Sequence, residues 1–276
     1  MQKKIKSFDN TKINYEIIRK SDKFLIFLHG TGGELLSWRP YIKFFNKQGY
    51  STIAIDMRGH GLSEIRNTDH FFSVENNAKD IHSIIEKEKI KNFILVGYCF
   101  GGMATMLHEK LFPDSSKGIV LIATSNRYPR YFQDSSLFVR FIRLFGIVTY
   151  DIWDMTGYLK KKVRGKYDPG YAKGDIISFR RVKNDFERNN IDNIIEVTKE
   201  AMLFQMKNLN FIKKPALVIQ GTRDIMYSVK DAKRMHHNIK GSELRIIKNA
   251  NHFLKFDRVD EICNYIDDFL NRRAKW

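Results

Sequence analysis

The sequence predicts a doubly wound, mostly parallel α/β sheet interrupted by one long insertion, and three observations support that expectation. Short, mostly continuous apolar runs recur along the chain, polar-faced helical stretches separate them, and the span from about Ser125 to Ile212 contains no clear buried strand. Continuous apolar runs suit strands covered on both faces, as in a parallel sheet. Their alternation with helices is the mark of β-α-β units.

In chain order, KINYEII (12–18) alternates apolar and polar residues as a half-buried strand does. FLIFL (24–28), TIAI (52–55), FILV (93–96), IVLIA (119–123) and ALVIQ (216–220) are the continuous runs, and LRII (244–247) is a further strand. Between them PYIKFFNKQ, SVENNAKDIHSIIEKEK and GGMATMLHEKLF read as helices, followed near the end by SVKDAKRMHHNI and VDEICNYIDDFLNRR. The predicted division is a sheet domain from 1–124 and 213–276 with a helical cap over 125–212. The cap segment 137–159 is rich in Phe, Ile, Leu and Trp, which predicts an apolar wall over a pocket.

A chain of 276 residues has ample core for one large domain with an insertion. Its two cysteines, Cys99 and Cys263, lie far apart, which predicts free thiols and a reducing, cytoplasmic setting. The N-terminus lacks an apolar signal region, and no stretch approaches the roughly 18 apolar residues of a membrane span. The net charge is +17, and residues 160–183 hold nine basic side chains against two acidic ones. A solvated surface accounts for most of this charge. Transient contact with an anionic membrane surface is the partner it suggests beyond a small-molecule substrate. No zinc spacing, Walker-type loop or RNP-like motif accompanies it, so nucleic-acid binding is not expected, and no metal or cofactor is implied.

The chemistry is concentrated at GYCFGG (97–102). An apolar strand, a glycine-bounded turn and a helix place Cys99 at a sharp bend, and the helix aims its positive N-terminal end at the sulfur. A cysteine serving only as a small buried hydrophobe needs no glycines around it. A nucleophile also needs a base, and the base needs a third group to hold its tautomer. Of the eight histidines, His252 is the best base, in a short loop between a strand and the last helix. His29 precedes a glycine turn and reads as a structural hydrogen-bonder, and His60 in RGHG as a pocket-lining candidate. His70, His82, His108, His236 and His237 read as surface or packing residues. Asp224, close after ALVIQG, is the orienting acid, with Asp231 and Asp257 nearby.

These residues, taken together, resemble the α/β-hydrolase superfamily. GYCFGG is similar to its G-x-S-x-G elbow with Cys in place of Ser, and LHGTGG (28–33) to the loop that supplies an oxyanion amide. IDMRGHGLSE (55–64) resembles the D-x-R-G-x-G-x-S stretch of capped members, GTRDIMYSV (221–229) the acid loop, and NANHFLKF (249–256) the histidine loop. The resemblance implies a Cys99, His252, Asp224 triad with the backbone amides of Thr31 and Phe100 as the oxyanion hole. It also implies that Asp56 fixes loop structure. His29, Gly30, Tyr98 and Trp153 are the candidate pocket residues. The implied activity is cleavage of carboxylic esters or thioesters with a hydrophobic acyl group through an acyl-enzyme. The cysteine keeps open acyl transfer from the same intermediate, a slow ligand-binding protein, and an engineered Ser-to-Cys replacement.

Overall fold

The computed structural model describes residues 1–66, 68–128, 191–274 and 276. The aromatic segment 137–159 with Trp153 and the basic run 160–183 lie outside the described residues.

The strands are β1 (Gln2–Lys6), β2 (Lys12–Ile18), β3 (Lys23–Leu28), β4 (Ser51–Ile55), β5 (Asn92–Tyr98), β6 (Gly118–Ile122), β7 (Ala216–Gly221) and β8 (Glu243–Ile247). They form one eight-stranded sheet in the order β1-β2-β4-β3-β5-β6-β7-β8. β1 with β2 and β2 with β4 are antiparallel, and every later pairing is parallel. β1 is an addition to the sequence expectation. Its QKKIK carries one buried side chain, Ile5, and its lysines stand on an exposed edge, where charge discourages pairing with other chains.

The helices are α1 (Arg39–Lys47), α2 (Val74–Glu88), α3 (Phe100–Leu111), α4 (Ile191–Leu203), α5 (Val229–Asn238), α6 (Leu254–Asp257) and α7 (Val259–Arg273). Because side chains alternate across a strand, β3 feeds two cores at once. Phe24, Ile26 and Leu28 join Ile81 and Ile84 of α2 and Met103 of α3 on one face. Leu25 and Phe27 join Tyr41 and Phe45 of α1 and Ile262, Ile266 and Phe269 of α7 on the other. On that second face the Phe27 ring lies 5.1 Å from Trp38 and 6.3 Å from Phe45. Truncating Phe27 to alanine there costs about 3–5 kcal/mol.

Local capping fixes where the helices begin. Ser73 Oγ accepts from the Asn76 amide at the head of α2. Ser228 and Asp231 form a reciprocal capping box at the head of α5. Asp231 is thereby committed to a helix start.

The chain leaving β6 and the chain returning after α4 pair with each other. Arg127 and Gln205 form an antiparallel bridge, and the amides of Met206 and Tyr128 donate to Asn126 O (2.8 Å) and Phe204 O (3.3 Å). After α4 the chain stays on the sheet, with Phe204, Met206, Leu209 and Ile212 in the same core as α2 and α3.

Candidate active site

Five chain segments converge beyond the carboxyl ends of the parallel strands, where open α/β sheets hold their ligands. They follow β3 (29–33), β5 (Cys99), β6 (123–124), β7 (222–228) and β8 (249–253).

Cys99 lies between β5 and α3 with φ +52° and ψ −116°, a conformation that L residues avoid. Such a residue costs about 1–3 kcal/mol and persists only where its surroundings over-determine it. Here the Cys99 amide donates to Ile122 O at 3.0 Å, and its carbonyl accepts from the Gly102 amide at 3.0 Å and Thr124 Oγ1 at 2.7 Å. The flanking glycines make the bend possible. A Cβ on Gly97 would stand 2.5 Å from Gly101 O, and one on Gly101 would stand 2.4 Å from Leu28 O. Cys99 is partly exposed and free, and Cys263 is free and buried in α7.

Asp224 and His252 come from loops 28 residues apart in sequence and meet at 2.9 Å, Asp224 Oδ2 to His252 Nδ1. Asp224 also accepts from Gln220 Nε2 (2.8 Å) and from the amides of Met226 (2.7 Å) and Tyr227 (2.9 Å). Burial alone would raise the Asp224 carboxyl, but His252 and these donors hold it below the usual carboxylate range. With Nδ1–H directed at Asp224, the imidazole has Nε2 left for a second partner, and the Cys99 sulfur is close enough to act on it electrostatically. Burial disfavours the imidazolium, yet the sulfur on one side and the carboxylate on the other outweigh it and push His252 up to about 10. Tyr98 braces the histidine loop by donating its hydroxyl to His252 O at 3.0 Å, and its ring lies 5.4 Å from the imidazole.

The loop after β3 runs against the cysteine: a Cβ on Gly30 would stand 2.9 Å from Cys99 Cβ. Thr31 follows in this loop, and Phe100 is the first residue of α3. Among the described residues no acceptor is paired with the amide of Thr31 or Phe100.

Two buried histidines fasten that loop from beneath. His29 Nε2 accepts from the Met57 amide (2.9 Å) while Nδ1–H donates to Gly30 O (2.8 Å). His60 Nε2 accepts from the Gly32 amide (3.1 Å) while Nδ1–H donates to Arg58 O (2.8 Å). Burial holds both rings neutral, His60 down to about 4 and His29 well below the ordinary value. His29 is the structural hydrogen-bonder that its place before a glycine turn suggests; as candidates for the pocket wall, both histidines are instead sealed and engaged at both nitrogens, because each ring is needed as a backbone acceptor below the loop. Tyr98 likewise is a buried brace. Asp56 joins the same support, accepting from the Leu35 and Leu62 amides and Asn14 Nδ2.

Two contributors escaped the sequence reading. Gln220 bridges Asp224 Oδ2 and Tyr227 O, both at 2.8 Å. Tyr227 is buried with its ring 5.7 Å from His252, and its amide donates to Asp224 Oδ1 at 2.9 Å. The available signal for Gln220 was a glutamine ending an otherwise apolar strand.

The chain matches the α/β hydrolase fold family over residues 23–145. It is 24% identical to an uncharacterized hydrolase, YugF, of Bacillus subtilis over 95% of each chain. It is 25% identical to monoacylglycerol lipase abhd6-B of Xenopus laevis over 98% of this chain and 82% of that one. Among solved structures, an esterase from Exiguobacterium antarcticum superposes with a TM-score of 0.81 at 19% identity, covering 98% of this chain and 100% of the other. The architecture described above is the α/β-hydrolase fold.

Proposed function

We infer that this chain, which has the α/β-hydrolase fold, hydrolyses carboxylic esters or thioesters through a Cys99, His252, Asp224 triad and an acyl-cysteine intermediate. The observation that carries the reading is the 2.9 Å pairing of Asp224 Oδ2 with His252 Nδ1, together with a Cys99 held at φ +52° at a helix N-terminus beyond the carboxyl end of β5. The names of its relatives, a hydrolase and a monoacylglycerol lipase, support the same class of activity.

In the proposed reaction the Cys99 proton passes to His252 Nε2, and Asp224 stabilises the imidazolium without itself taking a proton. The sulfur attacks the acyl carbon, a C–S bond forms, and the carbonyl π pair moves onto oxygen. The amides of Thr31 and Phe100 receive that oxyanion; a single such donor is worth about 3 kcal/mol in comparable sites. Collapse breaks the bond to the leaving group, which takes the proton from His252. Water then gives a proton to His252 and attacks the thioester, and the acid departs as the sulfur regains its electron pair. Residues 125–212 are proposed as a lid, with the aromatic segment 137–159 favouring a hydrophobic acyl chain.

Intact-protein mass spectrometry during turnover of a p-nitrophenyl ester and an acyl thioester tests this. The wild type is expected to gain and release one acyl group at Cys99, and Cys99→Ala to gain none. Wild-type turnover by Cys99→Ala would remove the cysteine from the mechanism.

A further inference from the structure

Thr31, whose amide is the proposed oxyanion donor, lies between two peptide groups that are each held from below. The peptide before it carries Gly30 O, which accepts from His29 Nδ1–H (2.8 Å) and the Gly33 amide (3.0 Å). The peptide after it carries the Gly32 amide, which donates to His60 Nε2 at 3.1 Å. His60 follows Gly59 in a turn that needs glycine: Gly59 has φ +71°, and a Cβ there would overlap the Phe72 ring. The peptide joining Gly59 to His60 is tied at both of its polar atoms. The His60 amide donates to Met57 O at 3.0 Å, and Gly59 O accepts from Asn193 Nδ2 at 3.2 Å.

Asn193 is on α4, 134 residues away in sequence and 6% exposed. α4 is fastened to the same part of the chain: Val197 and Ala201 are buried in one core with Phe71 and Phe72, and Glu200 Oε1 pairs with His70 Nδ1 at 3.1 Å. Packing alone would favour an aliphatic residue at position 193, because asparagine is a poor helix former and its buried carboxamide costs free energy unless hydrogen-bonded. The bond to Gly59 O is what offsets that cost.

We propose that Asn193 is a positioning residue for the oxyanion hole. From α4 it holds the Gly59–His60 peptide, and through the His60 ring it fixes the Gly32 amide and with it the direction of the Thr31 N–H. This deepens the acyl-cysteine reading and rests on it. Gly32 has φ +74°, and a loop with glycines at 30, 32 and 33 has little stiffness of its own, so the aim of Thr31 depends on what is bonded around it. The oxyanion develops only in the transition states on either side of the acyl-enzyme. A donor slightly out of place therefore costs rate in both steps and leaves substrate binding alone. Asn193 acts in this scheme through His60, without contact to the sulfur.

The test is Asn193→Leu, near in shape and without the donor, with Asn193→Asp as a second variant that turns an acceptor toward Gly59 O. Thermal melting of the full chain establishes that each folds. Hydrogen exchange followed by mass spectrometry reads the loop itself: exchange at Gly32 is expected to quicken about fivefold, while the Cys99 amide, bonded to Ile122 O, keeps its wild-type rate. In hydrolysis of a p-nitrophenyl ester, kcat and kcat/KM are expected to fall together about tenfold with KM unchanged, as when an interaction made only in the transition state is lost. Alkylation of Cys99 by iodoacetamide needs no oxyanion donor and is expected to proceed at the wild-type rate. In a His60→Gln background the effect of Asn193→Leu on kcat is expected to shrink to about twofold or less, since both changes break one path. Wild-type exchange at Gly32, a loss of rate carried by KM, slowed alkylation, or additive effects of the two substitutions each overturn the proposal. Failure of the acyl-cysteine reading looks different: the wild type itself gains no acyl mass at Cys99, while exchange at Gly32 still decides whether Asn193 holds the loop.

Discussion

The Gly32 amide donates to His60 Nε2 at 3.1 Å, which ties the glycine loop beside Cys99 to the turn after β4. The ring can accept only while neutral, and burial pushes its protonation down to about 4. A residue with no access to substrate thus sets a condition on the shape of the site. Asp56 in the same support accepts from two loop amides, and burial pushes its carboxyl up to about 6.

The sign of the resulting pH dependence follows from which state binds the proton. An unfolded chain protonates His60 near its ordinary value of 6.5, whereas the folded chain resists until about pH 4. Stability from this group is fully present above pH 6.5 and is lost as pH falls toward 4, by about 2–3 kcal/mol at pH 4.5. Asp56 acts oppositely, because its folded form takes a proton first, so the two must be separated by a variant. Urea unfolding of wild type and His60→Gln at pH 7.5 and 4.5 is the measurement. Wild type is expected to lose more stability than the variant on acidification; parallel losses would take the linkage away from His60.

Asp224→Asn keeps the shape of the acid and removes its charge. The His252 tautomer is then no longer fixed, and the positive ring loses one of the two groups that push it up to about 10. We expect kcat to fall on the order of a thousandfold with KM within a few-fold of wild type, by analogy with the loss of the acid in other triads. Steady-state ester hydrolysis reads this directly, and a loss below tenfold would mean that another group orients His252.

Gly97, beside Cys99, and an exposed glycine far from the site give a graded prediction. A Cβ on Gly97 meets the Gly101 carbonyl and Thr105 Oγ1, both at 2.5 Å, and the carbonyl cannot withdraw without moving α3. Gly97→Ala is expected to cost about 3 kcal/mol and to abolish activity. Gly49 has φ +87° with nothing within 4 Å of an added Cβ, so Gly49→Ala costs only the backbone strain of about 1 kcal/mol and leaves activity intact. Thermal unfolding of both variants checks the order.

The same contrast explains what could be read from the sequence. The parallel strands were legible because burial on both faces demands unbroken apolar runs, as in FLIFL and IVLIA. The bend at Cys99 was legible because only glycines tolerate such close backbone approach. β1 was not, since an edge strand of QKKIK needs one buried isoleucine and is otherwise selected for charge. Gln220 and Tyr227 were not legible as site residues either, and for His60 the sequence marked the residue but not its sealed place below the loop. Their roles arise from which loops the sheet order β5-β6-β7-β8 brings side by side, and no spacing along the chain encodes that neighbourhood.

Tyr98 immediately precedes Cys99, yet its hydroxyl serves the opposite side of the site through His252 O at 3.0 Å. Tyr98→Phe leaves a buried carbonyl unpaired and releases the loop that carries the base, at a cost of about 1–2 kcal/mol in stability. Because Asp224 still holds the ring, the imidazole stays in its tautomer but loses its fixed height above the sulfur. The expected outcome is a several-fold fall in kcat at 25 °C, with KM unchanged and the pH profile of Cys99 alkylation retained. A purely structural role for the hydroxyl would lower the melting temperature while leaving kcat at 25 °C at its wild-type value. Measuring both on the same preparation separates a brace that positions the base from one that only holds the fold.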